Sequence, residues 1–154
     1  MSRTTRGAQQ IEEEVRRRGH LYIYNGSKSI DSKVLEAVRL WEFLREGNKV
    51  NKEQVLLGKI NERDKTYIKA CLRKGESLTE TPRLRISTIH SAKGAQATNV
   101  MLLTDTMKRP YSMWRKIHTY EEDETRVFYV GLTRATHNIH LIHPMYSQGY
   151  ALPY

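Results

Sequence analysis

The sequence predicts an α/β fold: a mainly parallel sheet flanked by helices. Two observations lead there. Short apolar runs suited to strands alternate with longer segments whose apolar residues recur at helical spacing. Gly, Asn and Pro punctuate the junctions, and alternation of this kind favours parallel strands joined by helical crossovers. Taken in order, Ile11 and Val15 stand four apart among charges, so 9–18 is expected to be a short amphipathic helix stopped by Gly19. His20-Leu-Tyr-Ile-Tyr24 comes next as a strand and Asn25-Gly-Ser27 as a turn. From Ser32, Val34, Leu35, Val38, Trp41, Phe43 and Leu44 give a helix up to Gly47. A second is expected over 52–60, and a third over 61–74 with Tyr67, Ile68, Cys71 and Leu72 inward.

After the loop GESLTETP the texture changes. Leu84-Arg-Ile-Ser-Thr88 predicts a short strand, and Asn99-Val-Met-Leu-Leu-Thr104 a fully buried one. A polar, basic stretch over 105–119 interrupts, and 121–136 is expected to be helical with Val127, Val130 and either Phe128 or Leu132 on the core face. Residues 138–142 give the last strand, and the final ten a loose tail.

Bulk properties narrow the function class. With 154 residues, 38% of them hydrophobic and 28% charged, the chain suits one modest globular domain. No apolar run reaches the ~20 residues of a membrane span, and no apolar stretch stands behind the charged N-terminus as a secretory signal requires. Cys71 is alone, so no internal disulfide forms, and a cytoplasmic location is expected. The net charge of +9 suits a polyanionic partner, and equally a solubilising surface.

Two blocks carry chemistry. In Ile86-Ser-Thr-Ile-His-Ser-Ala-Lys-Gly94 a strand runs into a small, polar turn. Backbone amides there, with the N-terminus of a following helix, can hold a phosphate. Thr88 and Ser91 add hydroxyls, His90 a ring N–H and Lys93 a charge, while Gly94 lets a backbone approach. Read alone this is a generic anion site, and a structural turn explains it equally well. In Asp123-Glu-Thr-Arg-Val-Phe-Tyr-Val-Gly-Leu-Thr-Arg-Ala135, helical spacing puts Arg126, Val130 and Arg134 on one stripe. A guanidinium on a rigid helix suits phosphoryl transfer, since its planar fork matches phosphate oxygens. Read alone, a surface arginine paired with Glu121, Glu122 or Glu124 is the simpler account.

In this order and at this separation, T-x-H-x-x-K-G and E-x-R-x-x-Y-V-G-x-T-R-A resemble motifs V and VI of the UvrD-like superfamily 1 DNA helicases. Arg3-Thr4-Thr5, the short helix and Arg18-Gly-His-Leu-Tyr22 resemble the family's R-T-N segment with its next helix and strand. The likeness covers nearly the whole chain, and its details most resemble the compact bacteriophage versions. It implies a partial RecA-like lobe, of the P-loop NTPase type, that lacks its first strands. The lobe would start over 1–24, carry a helical insertion over 25–82, form the motif-bearing core over 83–144 and end in a tail over 145–154.

Residue roles come from the resemblance. Arg134, of the T-R-A triplet, corresponds to the finger that reaches the γ-phosphate of ATP bound on another lobe. Arg126 matches the second arginine of E-E-R-R, where a structural ion pair is expected. Thr88 and His90 fall where the family contacts the single strand, with Ser91 and Lys93 on the same surface and Arg3 and Thr5 at R-T-N positions. Gly94 and Gln96 would border the nucleotide, though Gln96 replaces a Glu that often reaches the ribose, so the charge that strengthens that hydrogen bond is lost. Thr5 stands in place of Asn.

No window satisfies the Walker A pattern G-x-x-x-x-G-K-[ST]: Gly58-Lys59 is succeeded by Ile60. Thr104-Asp105 after the run 100–103 imitates a Walker B strand without a P-loop upstream. Asn25-Gly-Ser-Lys-Ser29 only superficially matches the family's Tyr-Arg-Ser segment, since it comes after the R-T-N match instead of preceding it. The chain is therefore expected to be a fragment, inactive alone. An N-terminal half carrying the P-loop would hold ATP and Mg2+, and single-stranded DNA would be the other partner, in a bacterial host if the source is a phage. The alternative is a non-enzymatic single-strand-binding or regulatory module derived from a helicase. No metal site is expected, because in a strand His140 points away from His137 and His143. Trp41 reads as core, and Trp114 among its basic neighbours as a base-stacking candidate.

Overall fold

In the computed structural model, residues 1–47, 60–105 and 117–143 are described. The elements run α1 (Thr5–Arg17), β1 (Tyr22–Tyr24), β2 (Ser27–Lys28), α2 (Ser32–Arg45), α3 (Glu62–Arg73), β3 (Leu84–Ile86), β4 (Ala97–Leu103), α4 (Ile117–Leu132) and β5 (Ala135–Ile142). Residues 52–59 of the expected helix over 52–60, Trp114 and the tail lie outside the described residues, as does the side chain of Trp41. The chain divides into two compact units, one of 1–11 with 86–154 and one of 12–85.

The first unit is built on parallel strands. β4 and β5 pair in parallel, with Val100 opposite Ile139 and Leu102 opposite Leu141. On the other side of β4, the Met1 carbonyl accepts the Leu103 amide at 3.0 Å, and Ser2 bridges Thr88 in parallel. Alternation along β4 turns Val100 and Leu102 to one face, where they meet Ile89 and Phe128 in a buried cluster. Each such burial contributes roughly 1.5–3 kcal/mol. β4 is not buried on both faces as expected: Met101, between the two core residues, is 63% exposed. The continuous apolar run concealed this, since periodicity alone cannot tell one covered face from two. On α4, Phe128 is the fully buried residue, with Val127, Val130 and Leu132 around it.

The second unit holds β1 and β2 as an antiparallel hairpin, with β3 on the far side of β1. Asn25 and Gly26 both have positive φ, at 50° and 81°, as a two-residue hairpin turn demands. α3 begins at Asn61, whose side chain accepts the Asp64 amide at 2.8 Å. Tyr67, Ile68 and Cys71 face inward, whereas Leu72, expected there, is exposed, because one more residue carries it off the buried stripe. Arg16 stacks over the Tyr67 ring at 4.3 Å and pairs with Asp64, and the Tyr67 hydroxyl donates to the His20 carbonyl at 2.8 Å.

Burial pushes the Cys71 thiol pKa up, and the side chain is fully enclosed. Since the thiolate is the reactive form, Cys71 should react with a disulfide reagent at pH 8 at least about 100-fold more slowly in the native chain than in denaturant. A chromogenic thiol assay checks this, and equal rates would mean that the second unit is open in solution.

Candidate functional site

The turn after β3 is held by its own hydroxyls. The Thr88 amide donates to Ser91 Oγ at 3.0 Å, the Ser91 amide donates to Thr88 Oγ1 at 3.2 Å, and the two hydroxyl oxygens lie 3.0 Å apart. Ile89 and Ala92 point into the core, leaving His90, Ser91, Lys93 and Gly94 exposed. No α-helix comes after it, contrary to expectation: short-range bonds such as Ala92 N–H to Thr88 O (3.1 Å) and Lys93 N–H to His90 O (3.2 Å) give a run of turns that leads directly toward β4. The helix-terminus part of the anion argument therefore falls away. What remains is the turn, where the amides of His90 and Gly94 have no acceptor among the described residues. Gly94 has φ +81° with open space where a Cβ would stand, so a left-handed turn explains the glycine.

Arg134 is not on the helix. α4 ends at Leu132, and Thr133 and Arg134 form the turn into β5, with the Arg134 amide donating to the Gly131 carbonyl at 3.2 Å. Its guanidinium folds back over the helix end, Nε donating to the Val130 carbonyl at 2.9 Å, Nη1 to the Ala95 carbonyl at 3.4 Å and Nη2 to Thr133 Oγ1 at 3.0 Å. Orphan carbonyls at a helix C-terminus attract a cation, which explains the anchoring. All these acceptors are neutral, and Arg134 makes no ion pair among the described residues. Its contact with Ala95 sets it beside the end of the Thr88–Gly94 turn, and the Arg134 carbonyl accepts the Ala97 amide at 3.0 Å. A part-buried guanidinium with no ion pair among the described residues has the chemistry to meet phosphate oxygens.

The other candidates are dispersed. Gln96 is exposed in the two-residue link to β4. Thr5 is the exposed first residue of α1; the adjacent Thr4 caps that helix, its Oγ1 accepting the Gly7 amide at 3.0 Å. Arg126 makes exposed ion pairs with Glu122 at 3.6 Å and Asp123 at 3.4 Å. Arg3 turns inward and pairs with Glu124. That partner was missed in the sequence, and no local signal points to it, because 121 residues separate the two.

These features define an α/β lobe that sets a polar, basic turn beside an arginine without an ion pair among the described residues. The model of the UvrD-like helicase C-terminal domain matches residues 2–145, and the chain belongs to that family. Its small parallel sheet and flanking helices are those of a partial RecA-like lobe. Searches among curated proteins and among solved structures each found no match. Among the described residues, no helix is long and apolar enough to cross a membrane.

Proposed function

We propose that this chain is the C-terminal half of an ATP-dependent DNA helicase or translocase, completed by an N-terminal half that carries the P-loop. The observation that carries the proposal is the Arg134 guanidinium: part-buried, anchored among the described residues by neutral oxygens alone, and placed beside the Thr88–Gly94 turn. ATP with Mg2+, held mainly by the other half, supplies the phosphoanhydride whose hydrolysis drives movement. Arg134 presents its charge to the γ-phosphate when the halves close, stabilising negative charge on the equatorial oxygens. Gly94 and Gln96 border the same side, where the Gln96 amide offers a neutral hydrogen bond in place of a charged one. Thr88, His90, Ser91 and Lys93, with Thr5, supply part of the single-strand surface. The complex steps along the strand in the cytoplasm.

A simpler role as a single-strand-binding module shares the DNA surface and omits ATP, so one experiment serves to test that surface. Binding of a fluorescent oligonucleotide to the chain is measured across salt concentrations. The proposal expects salt-sensitive binding, weakened by His90→Ala and unchanged by Arg134→Ala. Lys93→Ala should reduce the slope of log K against log salt by about 0.7, the value for one phosphate on single strands. Binding indifferent to His90 and Lys93 would remove the turn from the DNA surface.

A further inference from the structure

Among the described residues, Glu124 is the one buried carboxylate, at 3% exposure. Arg3 Nε lies 3.1 Å from both its oxygens, and Nη2 donates to Oε1 at 2.8 Å. Both side chains are largely covered, at 14% and 4% exposure. A guanidinium occupied along this edge and turned inward has little left to offer a phosphate outside. Its neighbours show what it holds instead. Ser2 is fully buried; its amide donates to the Ser87 carbonyl at 3.1 Å and its carbonyl accepts the Ile89 amide at 2.9 Å. Residues 1–3 thus flank the strand end from which the Thr88–Gly94 turn springs. Gly7 presses on the same point, where a Cβ would stand 2.2 Å from Ser2 Oγ. Glu124 sits one helical turn before Phe128, and Phe128 packs in the cluster that includes Ile89. The root of the turn is therefore tied twice to α4, through the buried cluster that Phe128 shares with Ile89 and through Glu124 on the residue after Ser2.

We infer that Arg3 and Glu124 are positioning residues: a buried clamp that fixes the Thr88–Gly94 turn for single-stranded DNA, with Arg3 making no contact to the strand. The inference rests on the single-strand-binding part of the proposed function. It also replaces the expectation that Arg3 itself touches DNA.

A double-mutant cycle on the chain tests it, with oligonucleotide affinity and its salt slope as readouts and circular dichroism as the check on folding. Arg3→Gln and Glu124→Gln should each weaken binding by about tenfold, and the double variant should be no weaker than either, because one interaction is lost only once. The salt slope should stay at the wild-type value in all three. If the Gln variants fold poorly, Arg3→Lys keeps the charge; it should weaken binding as Arg3→Gln does, because an ammonium cannot span both carboxylate oxygens. Glu124→Gln binding as tightly as wild type, with Arg3→Gln lowering the slope by about 0.7, would make Arg3 a phosphate contact and overturn the clamp. A wild-type chain that binds no single-stranded DNA would instead overturn the reading beneath it.

Discussion

Arg134→Ala is expected to lower the DNA-stimulated ATP turnover of the paired halves by about 10³-fold or more, the usual cost of removing an arginine finger. The expectation comes from what Arg134 holds and what it leaves free. Three neutral oxygens orient the guanidinium and no carboxylate among the described residues pairs with it, so its charge is offered to an anion brought against this face. The same bonds predict a modest structural effect: losing the anchor on the Val130 carbonyl costs about 1 kcal/mol of stability, a small fraction of a domain's total. The variant should therefore fold, bind single strands and fail only in turnover. Arg134→Lys separates charge from shape. It keeps the cation but loses the fork, and should recover only a small part of the rate. Steady-state ATPase assays with saturating oligonucleotide measure both. Arg134→Ala turning over at the wild-type rate would reduce Arg134 to a helix cap.

Gly19→Ala should be the most damaging glycine-to-alanine change among the described residues of the second unit. Gly19 has φ +73°, and a Cβ there would stand 2.4 Å from the Ala70 carbonyl carbon and 2.5 Å from its oxygen. The obstacle is the backbone of α3, which cannot rotate away as a side chain would. Left-handed strain costs about 1–2 kcal/mol for a residue with a Cβ, and forcing apart two packed segments adds about 1–3 kcal/mol. A total near 3 kcal/mol would consume a large share of a typical domain's stability. Gly26 supplies the contrast: at φ +81° with nothing within 4 Å, Gly26→Ala meets the conformational cost alone. Urea denaturation monitored by circular dichroism compares them, and equal midpoints would contradict the close approach of the Gly19 turn to α3.

Much of the architecture was legible because its signals are local. The periodicities placed β1, α2, α3 and α4 within a few residues, and Gly19 marked the end of α1 through a packing contact that only glycine permits. β2 went unassigned although Asn25-Gly26 announced a hairpin; the strand it opens is only Ser27–Lys28, too short to show alternation. The helix expected to continue to residue 136 stops at Leu132. Leu-Thr-Arg-Ala contains no breaker, and pairing of Ala135 with Ala97 in the parallel sheet overrides the local preference. That difference changes the site: Arg134 is aimed by a turn and a carbonyl cap, not by a helical stripe. Arg3 shows the other limit. Its segment matched a strand-binding pattern by position, yet its partner is 121 residues away, and burial of that pair is a tertiary fact.

The most direct test of the central claim is ATP turnover on mixing this chain with a UvrD-like N-terminal half that carries a P-loop. Each half alone should be inert, and the mixture should hydrolyse ATP at a rate that rises on addition of single-stranded DNA. No turnover from a mixture in which both halves are folded and the DNA is bound would contradict it.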